Sequence, residues 1–320
     1  MRTGNSDRRA VVTGGAGAIG SALVRALLAA EVPVTVVDNL SSGRRENLAA
    51  VEEAPGFHFL RGDLLRPEEI RPAFAGATEI WHLAANPDIR RGTVDPKLDL
   101  EQGILGTFHV LEEARRAGVA RIHFSSSSVV YGRPDRFPTP EEYGPLLPQS
   151  QYAAGKLGAE GLISAFCHCY GLKATLFRFA NIIGPGMSHG ILFDLLKKLE
   201  RDPRNLEVLG DGRQKKSYLF TDDCVRGMLL AAEKDPGPVG IYNLGSSDQI
   251  TALEIAEKVV RALGGTARIA LTGGERGWVG DVPVQFLATE KIRALGWSPR
   301  FTSAEAVDRT LPILRAELGI

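Results

Sequence analysis

The order of elements along the sequence predicts an α/β fold: a doubly wound parallel sheet followed by a smaller C-terminal α/β lobe. Two observations carry that prediction. Short β-branched runs alternate with helical patterns through the first half of the chain, and such alternation means parallel strands joined by right-handed crossovers. After Asn181 the rhythm breaks into short strands and helices joined by Gly/Pro-rich connectors at 235–240 and 272–280.

Taken in order, 10–13 reads as a strand, 20–30 as a helix and 34–38 as a second strand. Residues 58–61 form the third strand, 67–74 a helix that opens on proline, and 79–84 the fourth strand. A long helix over 100–117 leads to a strand at 121–125, a helix over 152–170 and a strand at 173–179. Beyond these, Ile183-Gly-Pro-Gly is a loop, 191–200 a helix and Gly210-Asp-Gly-Arg a turn. The expected division is a sheet domain over 1–180, to which the chain returns within about 215–247, and a smaller lobe over 181–320.

Composition narrows the function. The 320 residues carry 38 basic and 38 acidic side chains, so the net charge is zero. That balance argues against a nucleic-acid surface or a polybasic membrane patch. The most apolar stretch, 22–37, is interrupted by Arg25, Glu31 and Pro33, which excludes a membrane span. A polar start, 1–9, leading straight into a strand is not a signal peptide, and a cytoplasmic location is expected. Three cysteines make no disulfide framework. Cys167 and Cys169 on one helix point about 200° apart, and Cys224 is isolated, so no metal site is expected. His82, His109 and His123 are scattered and read as packing or surface residues.

The first strand runs directly into Gly14-Gly-Ala-Gly-Ala-Ile-Gly20 and a helix. Gly14 allows a tight turn, Gly17 lets the backbone approach a pyrophosphate, and Gly20 lets the helix pack closely on the strand. Free N–H groups at the helix start, at Ala18 and Ile19, then meet the phosphates. Asp38, 18 residues after Gly20 at the end of the second strand, accepts hydrogen bonds from an adenosine ribose and repels a 2′-phosphate. The expected cofactor is therefore NAD, in a Rossmann-type site, with Asp63 and Leu64 beside the adenine.

Tyr152 and Lys156 lie four apart, so both side chains face one side of a helix, one turn from each other. An ammonium there can lower a phenol's pKa and make it a usable base. Upstream, Ser125-Ser-Ser-Ser-Val-Val-Tyr-Gly132 follows a strand end, where parallel sheets open their ligand crevice.

These motifs resemble the extended short-chain dehydrogenase/reductase family. The resemblance rests on Gly14-x-x-Gly17-x-x-Gly20, His82-Leu-Ala-Ala85, the serine run, Tyr152-x-x-x-Lys156 and Arg178-Phe-Ala-Asn181. Val37-Asp-Asn-Leu-Ser-Ser-Gly43, Leu209-Gly-Asp-Gly-Arg-Gln-Lys-Lys-Ser-Tyr218 and Arg276-Gly-Trp-Val-Gly-Asp-Val-Pro283 are similar to the nucleotide-sugar 4-epimerases acting on UDP-galactose and its relatives. The resemblance implies that Asn39, Ser41, Ser42, Gly43, Leu83, Ala84, Ala85, Ser125 and Phe179 join the cofactor site. It implies that Ser127 hydrogen-bonds the sugar O4, Tyr152 is the base and Lys156 holds the nicotinamide ribose. Asn181 and Lys216 would take the diphosphate, Arg276 the same phosphate, Asp281 the uridine ribose, Leu206 and Val208 the base, and His189 the covering loop.

The implied reaction is inversion at C4 of a UDP-hexose with tightly held NAD. Alternatives are another sugar-nucleotide reaction, a 4-reductase or dehydratase, and a non-catalytic NAD-binding regulator. The resembling dehydratases carry an acid and a base at the positions of Ser128 and Val129, and xylose-forming decarboxylases a Glu at Val129. Neither residue ionises at working pH. A glucuronate epimerase would want a cation near C6, and the loop Gly184-Pro-Gly-Met-Ser188 has no Arg. Three positions depart from the pattern: Gly103 stands where Asn is usual, Trp278 where Arg is usual, and Gln285 where a Tyr limits the sugar 2-substituent. The helices over 100–117 and 155–170 resemble the pair that forms the dimer interface in this family, so a homodimer is expected.

Overall fold

The computed structural model describes residues 7–278 and 280–320. Most of the polar start, 1–6, and Val279 within the 276–283 motif lie outside the described residues. Six strands follow the predicted order: β1 (Ala10–Thr13), β2 (Val34–Asp38), β3 (Phe57–Arg61), β4 (Glu79–His82), β5 (Arg121–Ser127) and β6 (Lys173–Phe179). With Val239–Leu244 they make a seven-stranded sheet, ordered Val239–Leu244, β6, β5, β4, β1, β2, β3. Every neighbouring pair is parallel. The order reverses between β1 and β4, and it is there that a parallel sheet opens a crevice at its carboxyl ends.

Both faces of the sheet are covered, which is why its strands read as continuous apolar runs. One face packs Val12, Val36, Trp81 and Phe177 against Leu23 and Leu27 of helix α1 (Ala18–Ala29). The other packs Val11, Ile80, Phe124 and Leu176 against Val110, Leu111 and Ile163. A third core, built on Leu192, Leu196, Ile255, Val259 and Val307, holds the smaller sheets after Asn181.

Two predicted bounds change for visible reasons. β5 continues to Ser127 because Ser125, Ser126 and Ser127 pair with Phe177, Arg178 and Phe179 of β6. β4 stops at His82, and the chain turns so that Leu83, Ala84 and Ala85 line a cleft. The helix expected over 100–117 is not uniform: Leu100–Leu105 is a π turn and only Gly106–Ala117 is α-helical. At the π turn the chain lies against the Gln151–Tyr170 helix, where a Cβ on Gly103 would stand 3.2 Å from the Gly155 Cα. Glycine meets glycine there, and a π turn absorbs the extra residue.

Candidate active site

The glycine loop is built by close approaches that side chains forbid. Gly14 has φ +71°, and a Cβ on it would come within 2.7 Å of the Ala84 nitrogen. A Cβ on Gly20 would strike the Gly14 carbonyl and stand 2.8 Å from the Gly15 Cα. Helix α1 starts at Gly17 with no side-chain cap and no acidic residue in its first turn. Its N-terminal N–H groups and dipole are thus free to hold an anion, as a pyrophosphate requires. Asp38 braces the same loop: its Oδ2 accepts from the Ala16 N–H at 3.0 Å and its Oδ1 from the Leu40 N–H at 2.8 Å. Asn39 Nδ2 donates to Asp63 Oδ2 at 3.1 Å, tying the ends of β2 and β3 together. These residues fit NAD: a phosphate cradle that a Cβ would fill, and a carboxylate at the ribose end.

One cavity of about 870 Å³ runs from this loop to the smaller sheets. Lining it are Gly14, Gly17, Ala18, Ile19, Gly20, Asp38, Asn39, Ser41, Ser42, Gly43, Asp63, Leu64, Leu83, Ala84, Ala85, Ser125 and Phe179. Ser127, Tyr152, Lys156, Asn181, His189, Val208, Lys216 and Asp281 line it as well. Two predicted site residues lie elsewhere. Leu206 is wholly buried in the third core, because alternation in Asn205–Val208 turns Leu206 and Val208 inward together and only Val208 reaches the cavity. Arg276 is exposed outside the lining, and its neighbours Gly277 and Trp278 take the wall. Gln285 does not line the cavity either; its Oε1 accepts from Asn181 Nδ2 at 3.3 Å and from the Ser217 N–H at 3.2 Å.

Tyr152 and Lys156 are placed by the start of the Gln151–Tyr170 helix, where the Ser150 hydroxyl caps the Ala153 N–H at 3.2 Å. Lys156 is buried, donates to the Ser125 carbonyl at 2.6 Å, and lies 4.7 Å from the Phe124 ring centroid and 5.8 Å from that of Tyr152. Burial pushes its ammonium down to about 7, against the pull of Asp99 and Glu160. The Tyr152 phenol goes the other way from the sequence expectation. Burial raises its pKa, Asp99 adds to the rise, and a hydrogen bond with Ser127 opposes it. At this depth desolvation outweighs the neighbouring charges on Lys156 and acts together with Asp99 on Tyr152.

Beneath the serine run lies a buried ion pair. Arg178 donates from Nε and Nη2 to the two Glu160 oxygens at 3.0 and 2.7 Å, and the Ser126 hydroxyl donates to the same carboxylate. At the far end, Lys216 Nζ meets Asp281 Oδ1 at 2.6 Å, and the Gly277 N–H donates to Asp281 Oδ2 at 3.1 Å.

Sequence reasoning missed three residues. Asn86 follows the Leu-Ala-Ala loop directly into the cavity wall, and its place beside that motif was the available signal. Arg90 lines the cavity too, steadied by Asp88 at 3.2 Å and Asp194 at 3.4 Å, far in sequence from the cation-free loop 184–188. Asp99 is buried near the Tyr152–Lys156 pair with nothing in its local sequence to mark it.

A model of the NAD dependent epimerase/dehydratase family matches residues 10–245. UDP-glucose 4-epimerase of Mycolicibacterium smegmatis is 32% identical over 321 residues, covering 96% of this chain and 98% of that protein. dTDP-glucose 4,6-dehydratase of Streptomyces niveus is 31% identical over 321 residues, covering 95% and 91%. A crystal structure of a UDP-galactose 4-epimerase superposes with a TM-score of 0.87 at 39% identity, covering 97% of this chain and 99% of that one. With the glycine cradle, the crevice and these likenesses together, the chain belongs to the NAD-dependent epimerase/dehydratase family of extended short-chain dehydrogenases/reductases and is an NAD-dependent enzyme that modifies nucleotide sugars.

Proposed function

We propose that the protein is a nucleotide-sugar 4-epimerase that inverts C4 of a UDP-hexose through a 4-keto sugar while NAD stays bound. The observation that carries this reading is the end of β5. Ser127 stands by Tyr152, while the next two residues, Ser128 and Val129, do not ionise and do not line the cavity. An elimination or decarboxylation would want ionisable groups there.

In this reading the Ser127 hydroxyl hydrogen-bonds the sugar O4 and Tyr152 takes its proton. Burial raises the Tyr152 phenol, so in this reading it acts as base through positive charge beside it, supplied by Lys156, that offsets the rise. Lys156 holds the nicotinamide ribose and supplies positive charge. Held by the glycine cradle and Asp38, NAD would supply reversible hydride chemistry at C4. Asn181, Lys216 and Asp281 hold the diphosphate and uridine while the sugar turns, so that proximity supplies much of the rate. The work is divided between an NAD-binding unit, 1–180 with its return near 215–247, and a nucleotide-sugar lobe over the rest. Exposed Leu100, Leu105, Phe108 and Tyr170 on the two helices support a homodimer through that face. The compartment in this reading is the cytoplasm; no described helix is long and apolar enough to cross a membrane.

A dehydratase is the second reading, favoured by relatives of that kind at nearly equal identity. Incubation with UDP-glucose, UDP-galactose and their N-acetyl forms, followed by NMR, separates the two. Inversion at C4 is expected; loss of the C6 hydroxyl would establish the dehydratase, and no change in any of the four would sink the UDP-hexose proposal. Tyr152→Phe is expected to lower turnover at least 100-fold and keep bound NAD.

A further inference from the structure

A buried ammonium depends on the carboxylates that face it, and two face Lys156: Glu160 and Asp99. Glu160 is committed to Arg178 and Ser126. Asp99 is not. It ends the short helix Pro96–Asp99 at 3% exposure, accepts from Asn86 Nδ2 at 3.0 Å through Oδ1, and has no hydrogen-bond partner at Oδ2 among the described residues. Its carbonyl oxygen lies 2.9 Å from where a Cβ on Gly155 would stand, on the stretch of helix between Tyr152 and Lys156. Gly92 leaves room for the carboxylate, since a Cβ there would strike Oδ2. An Asn at Gly103 has no such room, because its Cβ would crowd the Gly155 backbone.

We propose that Asp99, anchored by Asn86 and lying against the helix between Tyr152 and Lys156, is a positioning residue for the catalytic pair: without touching either side chain, its buried carboxylate provides the negative charge beside them and so sets the pH range in which the pair works. The groups that face it are few. Lys156 and Tyr152 do so from the Gln151–Tyr170 helix, and Asp95 from its own turn. Lys97 and Glu101 pair with each other at 2.7 Å. Burial raises the Asp99 carboxyl, Asn86 and Lys156 lower it, and Asp95 raises it again. In return, Asp99 raises both Tyr152 and Lys156. The carboxylate thus acts on both members of the pair in one direction.

The inference rests on Tyr152 being the base, and its test is chosen so that the two fail separately. The Tyr152 phenolate is titrated by ultraviolet difference, protein minus its Tyr152→Phe variant, which needs no substrate; the pH profile of kcat for C4 inversion is recorded beside it. Removing a negative charge eases ionisation of the phenol and weakens the hold on the ammonium. Asp99→Asn should therefore move both limbs of the profile, and the phenolate titration, to lower pH by about one unit, with Asp99→Glu returning them. A lost carboxylate that mattered only for packing would lower stability without moving either curve. Curves that superpose on the wild type, or that move to higher pH, overturn the proposal. Should Asp99→Asn fail to fold, Asn86→Ala carries the test: it makes Asp99 easier to protonate and should shift the acid limb the same way, and an unmoved limb overturns the proposal. Full activity in Tyr152→Phe would instead refute the reading of the base.

Discussion

Replacing Glu160 by Gln should cost far more than its similarity of shape suggests. The change keeps an oxygen for one Arg178 hydrogen bond but strips the guanidinium of its counter-charge. Both partners are buried, with side-chain exposures of 4% for Arg178 and 6% for Glu160, so water cannot take over. The Glu141 carbonyl at 3.1 Å and the Tyr131 ring, with its centroid 4.8 Å away, remain but carry no net charge. Removing one member of a buried pair typically costs about 3–5 kcal/mol. Against a usual total of about 5–15 kcal/mol, that is a large part of the stability. For a chain of this size, at about 2.1 cal/mol/K per residue, a loss of about 3 kcal/mol lowers Tm by roughly 4–5 °C. Calorimetry should show that fall, and turnover should drop with it, because Ser126 is tied to Glu160 and stands next to Ser127. The double variant Glu160→Leu/Arg178→Met removes both charges and should recover most of the lost Tm. A Glu160→Gln variant within 1 °C of the wild type, by the same roughly 1.5 °C per kcal/mol, would refute the reasoning.

Three further outcomes are expected. Gly20→Ala should cost about 1–3 kcal/mol and strip NAD from the purified protein, since its Cβ meets the Gly14 carbonyl; unchanged cofactor content and Tm would contradict this. Lys216→Met leaves the buried Asp281 without its cation, and should raise KM for the nucleotide sugar at least tenfold while kcat moves less; an unchanged KM would remove Lys216 from the binding site. His123 is buried against Trp81 at 4.1 Å, neither ring nitrogen has a hydrogen bond among the described residues, and burial first, then Arg121 and Arg8, push its pKa down to about 3. The unfolded chain therefore takes up a proton here from pH 6.5 downward while the native state does not until about 3, so stability is full above 6.5 and falls by about 1.4 kcal/mol per pH unit below it. His123→Phe should save about that amount at pH 5.5, read from urea midpoints at pH 7.5 and 5.5; an unchanged acid slope would show that the ring is not the cause.

Much of this molecule was written in local pattern. The six strands and the glycine loop come from neighbours in sequence, because alternation, turn glycines and a strand-end carboxylate are short-range chemistry. That Ser127, Tyr152 and Lys156 would line one cavity was legible for the same reason: a helix turn and a strand end set their directions. What escaped depends on distant partners. Asp99 matters through Asn86 and Gly155, 13 and 56 positions away. Leu206 was placed against the nucleobase, but which face of a four-residue strand turns inward is decided by what packs on it. Gly103 looked like a missing functional side chain and is instead a contact surface for Gly155. The rise in the Tyr152 pKa was equally hidden, since depth of burial is a property of the whole fold.

The edge strand Val239–Leu244 has a consequence for engineering. It joins the large sheet beside β6 only after the chain has already built Asn181–Ile183, Ile191–Arg201 and Asn205–Val208 outside it. A gene cut after Phe179 would yield a fragment whose β6 edge is bare, with Arg178 and Phe179 no longer paired to Asn243 and Leu244. Such an edge invites association with other chains. Grafting the segments of the smaller lobe from one relative to another therefore cannot be a single cassette exchange. It needs three splice points, after Phe179, before Tyr218 and after Leu244, with register kept at each.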